Sequence, residues 1–138
     1  MTLDTRLATA TQNTITNAWS ALFNTGFLKI YDGTRPTDAN TAIGAQVLLS
    51  THTLSATAFA TSASGTAAAA AIGSATVAAT STATWGRFFK ADGTTVIMDV
   101  SVGVGASFNI NVNSTAFQSG ATASISSYNL TTPASIAG

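Results

Sequence analysis

The side chains best suited to chemistry in this chain are one histidine, His52, and five scattered aspartates. A lone histidine and an absence of cysteine leave few ligands for a metal site. No glycine motif of a hydrolase, P-loop or dinucleotide site is present, and no spacing marks a Ser-His-Asp triad. Asp32 and Asp99 could still meet in the fold as the paired carboxylates of a glycosidase. We favour a structural or exposed role for His52 and expect no enzymatic activity, metal or cofactor.

The surface of this protein must be nearly free of charge. Only 7% of its 138 residues are charged, the net charge is zero and no glutamate occurs. This balance excludes a basic patch for nucleic acid and a polybasic membrane anchor. No signal peptide or membrane-spanning run is expected either. Two interpretations follow: a neutral, Thr-rich β protein, or a protein whose surface is covered by partners in an assembly, since uncharged patches are easier to desolvate.

The clearest element is a β-hairpin over residues 83–102. Asp92-Gly93 separates two runs rich in aromatic and β-branched residues, a pattern that predicts a two-residue type I′ turn. Pairing outward from this turn places Trp85, Arg87 and Phe89 on one face, opposite Val100, Met98 and Val96. We expect this face to point into a core. Arg87 would then extend its head to a rim or meet a carboxylate.

An amphipathic helix is predicted before the first strand. Apolar residues recur at helical spacing from residue 15 to 23, and Asn24-Thr25-Gly26 supplies a stop. Leu3 and Leu7 could extend the helix backward. Two interpretations of its aromatic residues are open: packing onto the sandwich, or an arm that contacts a neighbour. The predicted stripe consists of Ile15, Ala18, Trp19, Leu22 and Phe23.

The remaining chain predicts strands and turns. Residues 27–32, 46–54, 106–112 and 121–130 have strand patterns, and the phase slip before Tyr128 indicates a bulge or bend. The Ala/Thr/Ser/Gly-rich stretch 56–83 is interpreted as short strands and turns. The fold class is therefore all-β: a jelly-roll or Greek-key sandwich of about eight short antiparallel strands after one N-terminal helix. We expect a single domain over 1–138, with a helical arm (1–25), a sandwich (26–132) and a tail (133–138).

Four strings occur in a characteristic order. They are F-L-K-I-Y-D-G-T-R-P (27–36), A-T-W-G-R-F-F-K-A-D-G-T-T-V-I-M-D (83–99), S-x-N-x-N-V-N (107–113) and S-G-A-T-A-S-I-S-S (119–127). In this order the chain resembles small virion proteins of tailed bacteriophages, and most of all the jelly-roll capsid cement, or decoration, proteins. The resemblance covers most of the chain and brings no catalytic motif.

The resemblance implies an adhesive function at the capsid surface of a virion, for a protein made in the host bacterial cytoplasm. The subunit would bind the phage major capsid protein, bridge neighbouring subunits and form a symmetric oligomer, with a dimer preferred. No nucleic-acid or membrane partner is expected. The alternative is a carbohydrate-binding module for host adhesion, because exposed aromatics with Asp and Asn are typical of lectin sites. Its candidate residues are Tyr31, Asp32, Tyr128 and Asn129.

Two similar segments, at 29–34 and 90–94, each end in Asp-Gly-Thr. They are either independent hairpin turns, since Asp-Gly suits a turn anywhere, or a pair of loops at one end of the sandwich.

Overall fold

The computed structural model describes residues 4–105, 107–126, 128–132 and 135–137. Within these ranges the chain forms one helix and thirteen short strands. In chain order they are β1 (Asp4–Arg6), α1 (Thr9–Ala21), β2 (Phe27–Tyr31), β3 (Leu48–Thr53), β4 (Thr66–Ala68), β5 (Ala75–Thr76), β6 (Ser81–Thr82), β7 (Trp85–Phe89), β8 (Val96–Gly103), β9 (Ile110–Asn111), β10 (Ala116–Phe117), β11 (Thr122–Ala123), β12 (Asn129–Thr131) and β13 (Ser135–Ala137).

One layer is a five-stranded sheet in the order β3-β2-β7-β8-β9. Its strands pair antiparallel except for β8 and β9, which run parallel over two residues. The second layer consists of nested antiparallel pairs: β4 with β12, β5 with β11, and β6 with β10. The core lies between the layers and contains Leu28, Ile30 and Phe88 from the sheet and Val77, Phe117 and Leu130 from the pairs.

This nesting is the pairing order of a jelly roll, in which a long antiparallel ribbon folds onto itself. The predicted fold class, an all-β sandwich with an N-terminal helix, is therefore confirmed. The strands are shorter and more numerous than the predicted eight, because small-residue segments interrupt the pairing. The stretch 56–83 contains β4, β5 and β6, as predicted. The predicted tail contains β13, which pairs with β1, whereas Pro133 lies outside the described residues.

The hairpin of β7 and β8 forms, but its predicted register is correct only next to the turn. Phe89 lies opposite Val96, and a bulge then shifts the register by one residue. Arg87 consequently faces Asp99 and not Met98. The type I′ turn is also wrong, because Gly93 has a φ of 73° whereas Asp92 does not have positive φ. The connection is a longer loop closed by the Lys90 N–H, which donates to the Thr95 carbonyl at 2.9 Å.

The predicted core face of β7, which carries Trp85 and Arg87, is wrong, because the other face of the strand enters the core. Phe88 belongs to the core cluster, together with Val100 and Val102 of β8. Trp85 and Arg87 point to the other side, yet they are only 1% and 2% exposed. Because the loop after β2 covers this side, β7 is buried on both faces. An alternation pattern along a strand cannot reveal that a loop from elsewhere in the chain buries its second face.

α1 begins at Thr9, so the extension through Leu7 is wrong, and Leu3 lies outside the described residues. The helix turns a polar row inward: Gln12, Thr16 and Ser20 are its buried residues. Ile15 and Leu22 of the predicted stripe are instead 39% and 41% exposed.

Hydrogen bonds explain this rotation of α1. The Thr16 hydroxyl lies 2.8 Å from both the Gly65 carbonyl oxygen and Thr132 Oγ1. Asn13 Oδ1 accepts from the Gly65 N–H, and Asn17 Oδ1 accepts from the Ser62 N–H, each at 2.9 Å. These partners attach the polar side of the helix to residues 62–65 and 132.

The two aromatic residues of the predicted stripe pack onto the sandwich. Phe23 is fully buried in edge contacts with Phe59 and Phe88. Trp19 is half-buried against the core.

Two other strand predictions are only partly right. Of the predicted strand 106–112, residue 106 lies outside the described residues, and the described part contains only β9, with Ile110 and Val112 buried and Phe108 exposed before it. The predicted strand 121–130 contains two separate strands, β11 and β12. Residue 127, where the bulge or bend before Tyr128 was predicted, lies outside the described residues.

Candidate functional site

A loop of residues 32–46, here called the outer loop, covers the outer face of β7. Arg87 holds it there. The guanidinium Nε donates to Asp99 Oδ1 at 2.6 Å, and Nη2 donates to Oδ2 at 2.9 Å. Nη1 donates to the Thr41 carbonyl of the outer loop at 2.9 Å. The bond to Asp99 raises the pKa of Arg87 further above its usual value. The pair is therefore a fixed structural clamp, and the second predicted option for Arg87, a carboxylate partner, is confirmed.

The start of the outer loop is held by an aromatic stack. Tyr31 and Trp85 lie with ring centroids 4.8 Å apart and planes at 19°. The Trp85 indole N–H donates to the Asp32 carbonyl at 3.0 Å. The Asp32 carboxylate accepts from the Val47 N–H at 2.6 Å and from the Ser81 hydroxyl at 2.8 Å. These two bonds, the Val47 N–H first, lower the pKa of Asp32. The Asp32 carboxylate thus links the start of the outer loop to Val47, just before β3, and to Ser81 of β6.

This environment does not suit a glycosidase acid. A general acid needs a raised pKa, whereas hydrogen bonds lower that of Asp32. Asp99 is bound on both oxygens by Arg87. Each carboxylate therefore already has a structural partner.

The two Asp-Gly-Thr segments lie at opposite ends of the sheet. β2 and β7 are antiparallel, with Tyr31 opposite Trp85 and Phe27 opposite Phe89. The segment after Tyr31 is therefore beside the start of β7, and the segment at Asp92 follows the end of β7. Of the two interpretations of these segments, the one in which both loops lie at one end of the sandwich is wrong.

His52 is fully buried in β3. Its Nδ1 lies 2.7 Å from the Gly73 carbonyl oxygen, so Nδ1 carries the proton and donates. Nε2, 3.0 Å from Ser50 Oγ, then accepts from that hydroxyl. Burial lowers the pKa of His52. The ring is a neutral structural link between β3 and residue 73, as favoured from the sequence.

Four of the large apolar side chains on the surface lie at the same end of the five-stranded sheet, with Val47 and Leu48 at the start of β3 and Val104 and Phe108 beyond the end of β8. We call Val47, Leu48, Val104 and Phe108 the end patch; their exposure ranges from 37% to 58%. Leu48 lies opposite Tyr31, and the Val47 carbonyl accepts from the Asp32 N–H. Val104 and Phe108 line a cleft beside Thr84, whose hydroxyl donates to the Gly33 carbonyl at 2.6 Å.

A second apolar surface lies on α1 and its C-terminal cap. We call the exposed residues Ile15, Ala18 and Leu22 the helix stripe. Their spacing of three and four residues follows one side of a helix. Leu22 caps α1 shortly before Gly26, which lies against the Phe89 carbonyl at the opposite end of β7. Leu22 and the end patch thus lie at opposite ends of β2, a strand of five residues and about 16 Å.

The residues suggested for carbohydrate binding do not form one platform. Tyr31 is 5% exposed and stacks on Trp85. Tyr128 packs against Phe59 and Phe88, and burial raises its pKa to about 12. The cleft of the outer loop is lined by Asp32 but by no aromatic side chain. The cleft at Phe108 has an aromatic side chain but no acid.

Comparison with known proteins gives no relative. No family model, no curated protein and no solved structure matches the chain. Among the residues that the structure describes, no three acidic or histidine side chains form a group that could hold a metal ion. In the same ranges no helix is long and apolar enough to cross a membrane.

Sequence reasoning named none of the end-patch residues as surface residues. Val47 and Leu48 belong to a predicted strand, and Phe108 belongs to a pattern in which it shares a face with Ile110. The signal that could find them is position, because each lies at the end of a strand or within two residues of it.

Proposed function

We propose that this protein is a structural virion component that binds the outer surface of a phage head and bridges major capsid subunits. The observation that carries the proposal is the pair of apolar surfaces at opposite ends of the sheet. A bridge between neighbouring subunits needs two separate contacts, and the end patch and the helix stripe supply them. The resemblance to capsid cement proteins points to the same partner.

The placement of charge supports the proposal. Arg87 and Asp99 neutralise each other inside the fold. Asp92 accepts hydrogen bonds from its own loop, and Asp32 accepts from Val47 and Ser81. Lys29 donates to the Gly93 carbonyl and lies 4.6 Å from the Phe89 ring centroid. A surface with so few free charges loses little hydration when a partner covers it.

The mechanism would be adhesion without chemistry. Each contact is small, because each surface contains only a few large side chains. On a capsid lattice many identical bridges act together, so the shell gains resistance to expansion through multivalency. The protein would be made in the bacterial cytoplasm and would end on the capsid surface.

The decisive experiment is to locate the chain in purified intact particles by electron cryomicroscopy. Density for the sandwich on the outside of the head, in contact with two capsid subunits, would support the proposal. Density at the tail tip, or no incorporation into any particle, would refute it. Specific binding to a glycan array would favour the host-adhesion alternative.

A pair of variants tests the two surfaces. The double variant Val104→Ser/Phe108→Ser removes apolar area from the end patch, and Leu22→Ser does so on the helix stripe. Each is expected to lower incorporation into particles while the fold is unchanged by circular dichroism. Thr51→Ser, at an exposed position of β3 outside both surfaces, is the matched control and should be incorporated normally. Normal incorporation of both surface variants would contradict the bridging model.

A further inference from the structure

A pocket of about 120 Å³ opens beside β10 and β11 in the second layer of the sandwich, and we call it the β10–β11 pocket. Its buried lining residues are Val77, Val112, Phe117 and Ala123, each between 2% and 6% exposed. All four belong to the core cluster. The pocket therefore gives access from the surface to apolar side chains of the core.

Backbone hydrogen bonds fix the walls of this pocket. The Val77 N–H donates to the Ala121 carbonyl, and the Gly120 N–H donates to the Val77 carbonyl, each at 2.8 Å. The Ala121 N–H donates to the Gln118 carbonyl at 2.9 Å. Because these bonds lie within the chain itself, the pocket is preformed. A group that enters it loses little affinity to ordering of the protein.

The rim of the pocket is polar but uncharged. Asn113, Gln118, Thr122 and Ser124 line it and are exposed. Within the ranges that the structure describes, none of these four side chains makes a hydrogen bond to the rest of the protein. The two amides each offer a donor and an acceptor, which are the two groups that a peptide bond needs as partners. An apolar interior with a few polar groups at the mouth is typical of a binding site.

Size and charge restrict what the pocket accepts. An apolar cavity of about 150 Å³ holds benzene, so a volume of about 120 Å³ suits one aliphatic group of leucine size. No acid or base lines the pocket, so a charged group would lose its hydration there without gaining a partner. A sugar is a poorer match, because Phe117 is 6% exposed and offers no face on which a sugar ring could stack.

The pocket shares a wall with the end patch. Ser114 and Ala116 line the pocket, whereas Thr115 between them lines the cleft of Val104 and Phe108. Only this three-residue segment separates the pocket from that cleft. An extended segment of a partner that covers the cleft can therefore cross residues 114–116 and reach the pocket.

We propose that the β10–β11 pocket receives one aliphatic side chain of leucine size from the protein that covers the end patch. The backbone of the inserted segment bonds to the Asn113 and Gln118 amides at the rim. An apolar anchor in a preformed pocket, surrounded by contacts that exclude water, is where binding energy concentrates at protein interfaces. The identity of this partner as a capsid subunit rests on the proposed function, whereas the preference of the pocket for a neutral aliphatic group does not.

A small probe tests the preference directly. N-acetyl-leucinamide carries the side chain and two peptide groups, and titration into isotope-labelled protein should shift the methyl NMR signals of Val77 and Val112 until they saturate. N-acetyl-glycinamide lacks the side chain, and N-acetyl-lysinamide replaces it with a charged one. Both should leave these signals unchanged at the same concentrations.

A substitution at the mouth closes the pocket without altering its buried lining. Ala121→Phe adds a ring at an exposed lining position and should abolish the shifts. Ala56→Phe, at an exposed alanine outside the pocket, is the matched control and should preserve them. Circular dichroism shows whether each variant keeps its fold. In particles that incorporate the unmodified chain, Ala121→Phe should be incorporated less than Ala56→Phe.

Several results would overturn the proposal. They are the absence of saturable shifts with N-acetyl-leucinamide, shifts that persist in folded Ala121→Phe, and normal incorporation of Ala121→Phe into particles. Saturable shifts with methyl glucoside but not with N-acetyl-leucinamide would assign the pocket to a sugar instead. Saturable binding of N-acetyl-leucinamide by a chain that no particle incorporates would reject the proposed function and leave the aliphatic preference of the pocket standing.

Discussion

Arg87 and Asp99 face each other across β7 and β8 in a two-pronged ion pair, with both side chains less than a tenth exposed. The pair lies on the outer side of the sheet, beneath the outer loop, and Arg87 also binds the Thr41 carbonyl of that loop. One guanidinium thus neutralises a buried carboxylate and attaches a loop to the sheet. The stability of this region depends on both partners being present.

Removal of Arg87 should destabilise the protein strongly. Arg87→Met leaves the Asp99 carboxylate buried without its partner, and breaking a buried ion pair in this way costs about 3–5 kcal/mol. Urea unfolding followed by tryptophan fluorescence measures the change. Arg35→Met on the exposed part of the outer loop is the control, with an expected change within about 0.5 kcal/mol. Equal effects of the two variants would show that the clamp contributes nothing.

Stability should fall as the pH drops below about 6.5, the ordinary pKa of histidine. Burial lowers the pKa of His52 in the fold, so the unfolded chain binds the proton first. The stabilisation is complete above the unfolded pKa and is lost progressively as the pH falls toward the folded one. Thermal unfolding from pH 8 to pH 5 tests this.

The matched variant for this pH dependence is His52→Gln, which has no titrating ring. Because His52 is the only histidine, its loss should flatten the profile between pH 7 and 5. A slope that persists unchanged in His52→Gln would assign the pH dependence to other groups.

The buried hydrogen bonds of Thr16 on the polar side of α1 should contribute to the free energy of unfolding. Thr16→Val deprives Gly65 and Thr132 of a buried partner, which costs about 1–3 kcal/mol. Thr14→Val is the control, since its exposed hydroxyl donates only to the Ala10 carbonyl of the same helix. Chemical denaturation of both variants gives the comparison. If both variants lose the same free energy of unfolding, helix propensity and not the buried hydrogen bonds of Thr16 determines the result.

A methyl group should be excluded at Gly26 but accepted at Gly44. A Cβ at Gly26 would lie 2.3 Å from the Phe89 carbonyl oxygen and 2.9 Å from that of Phe23, and both atoms are backbone. Gly26→Ala should therefore cost about 3 kcal/mol or more through overpacking. At Gly44 the nearest atom is the flexible Gln46 amide oxygen at 3.6 Å. The free energy of unfolding of Gly44→Ala should therefore lie within about 1 kcal/mol of that of the unmodified protein. Similar midpoints for the two variants would contradict this packing.

The sequence predicts the elements better than it predicts their surroundings. The runs that become β2, β3, β7 and β8 are found because alternation and turn residues are local properties. The register beyond Phe89 is missed because a bulge depends on cross-strand packing. The small-residue stretch 56–83 is interpreted correctly as short strands, although nothing local specifies their partners, which come from a distant part of the chain.

The errors in faces have one physical cause. Thr16 and Gln12 are buried because their hydrogen-bond partners, Gly65 and Thr132, come from distant parts of the chain. Ile15 and Leu22 are then left outside, against the rule that apolar residues turn inward. Trp85 is likewise buried on an outer face that only the outer loop covers. Patterns along the chain do not record partners that tertiary structure brings from far away.

The nested strand pairs impose an order on folding. The pairs Phe117↔Ser81, Thr122↔Thr76 and Thr131↔Thr66 enclose one another in sequence, with few residues between one pair and the next. All three enclose the hairpin of β7 and β8. Each outer pair closes a smaller loop once the pair inside it has formed. The loss of chain entropy is therefore smallest if the pairs form in order, starting from the hairpin turn at Asp92 and continuing outward. Such a protein should fold slowly for its size. Destabilising substitutions in the hairpin of β7 and β8 should lower the folding rate, whereas those in the outermost pairs should mainly raise the unfolding rate.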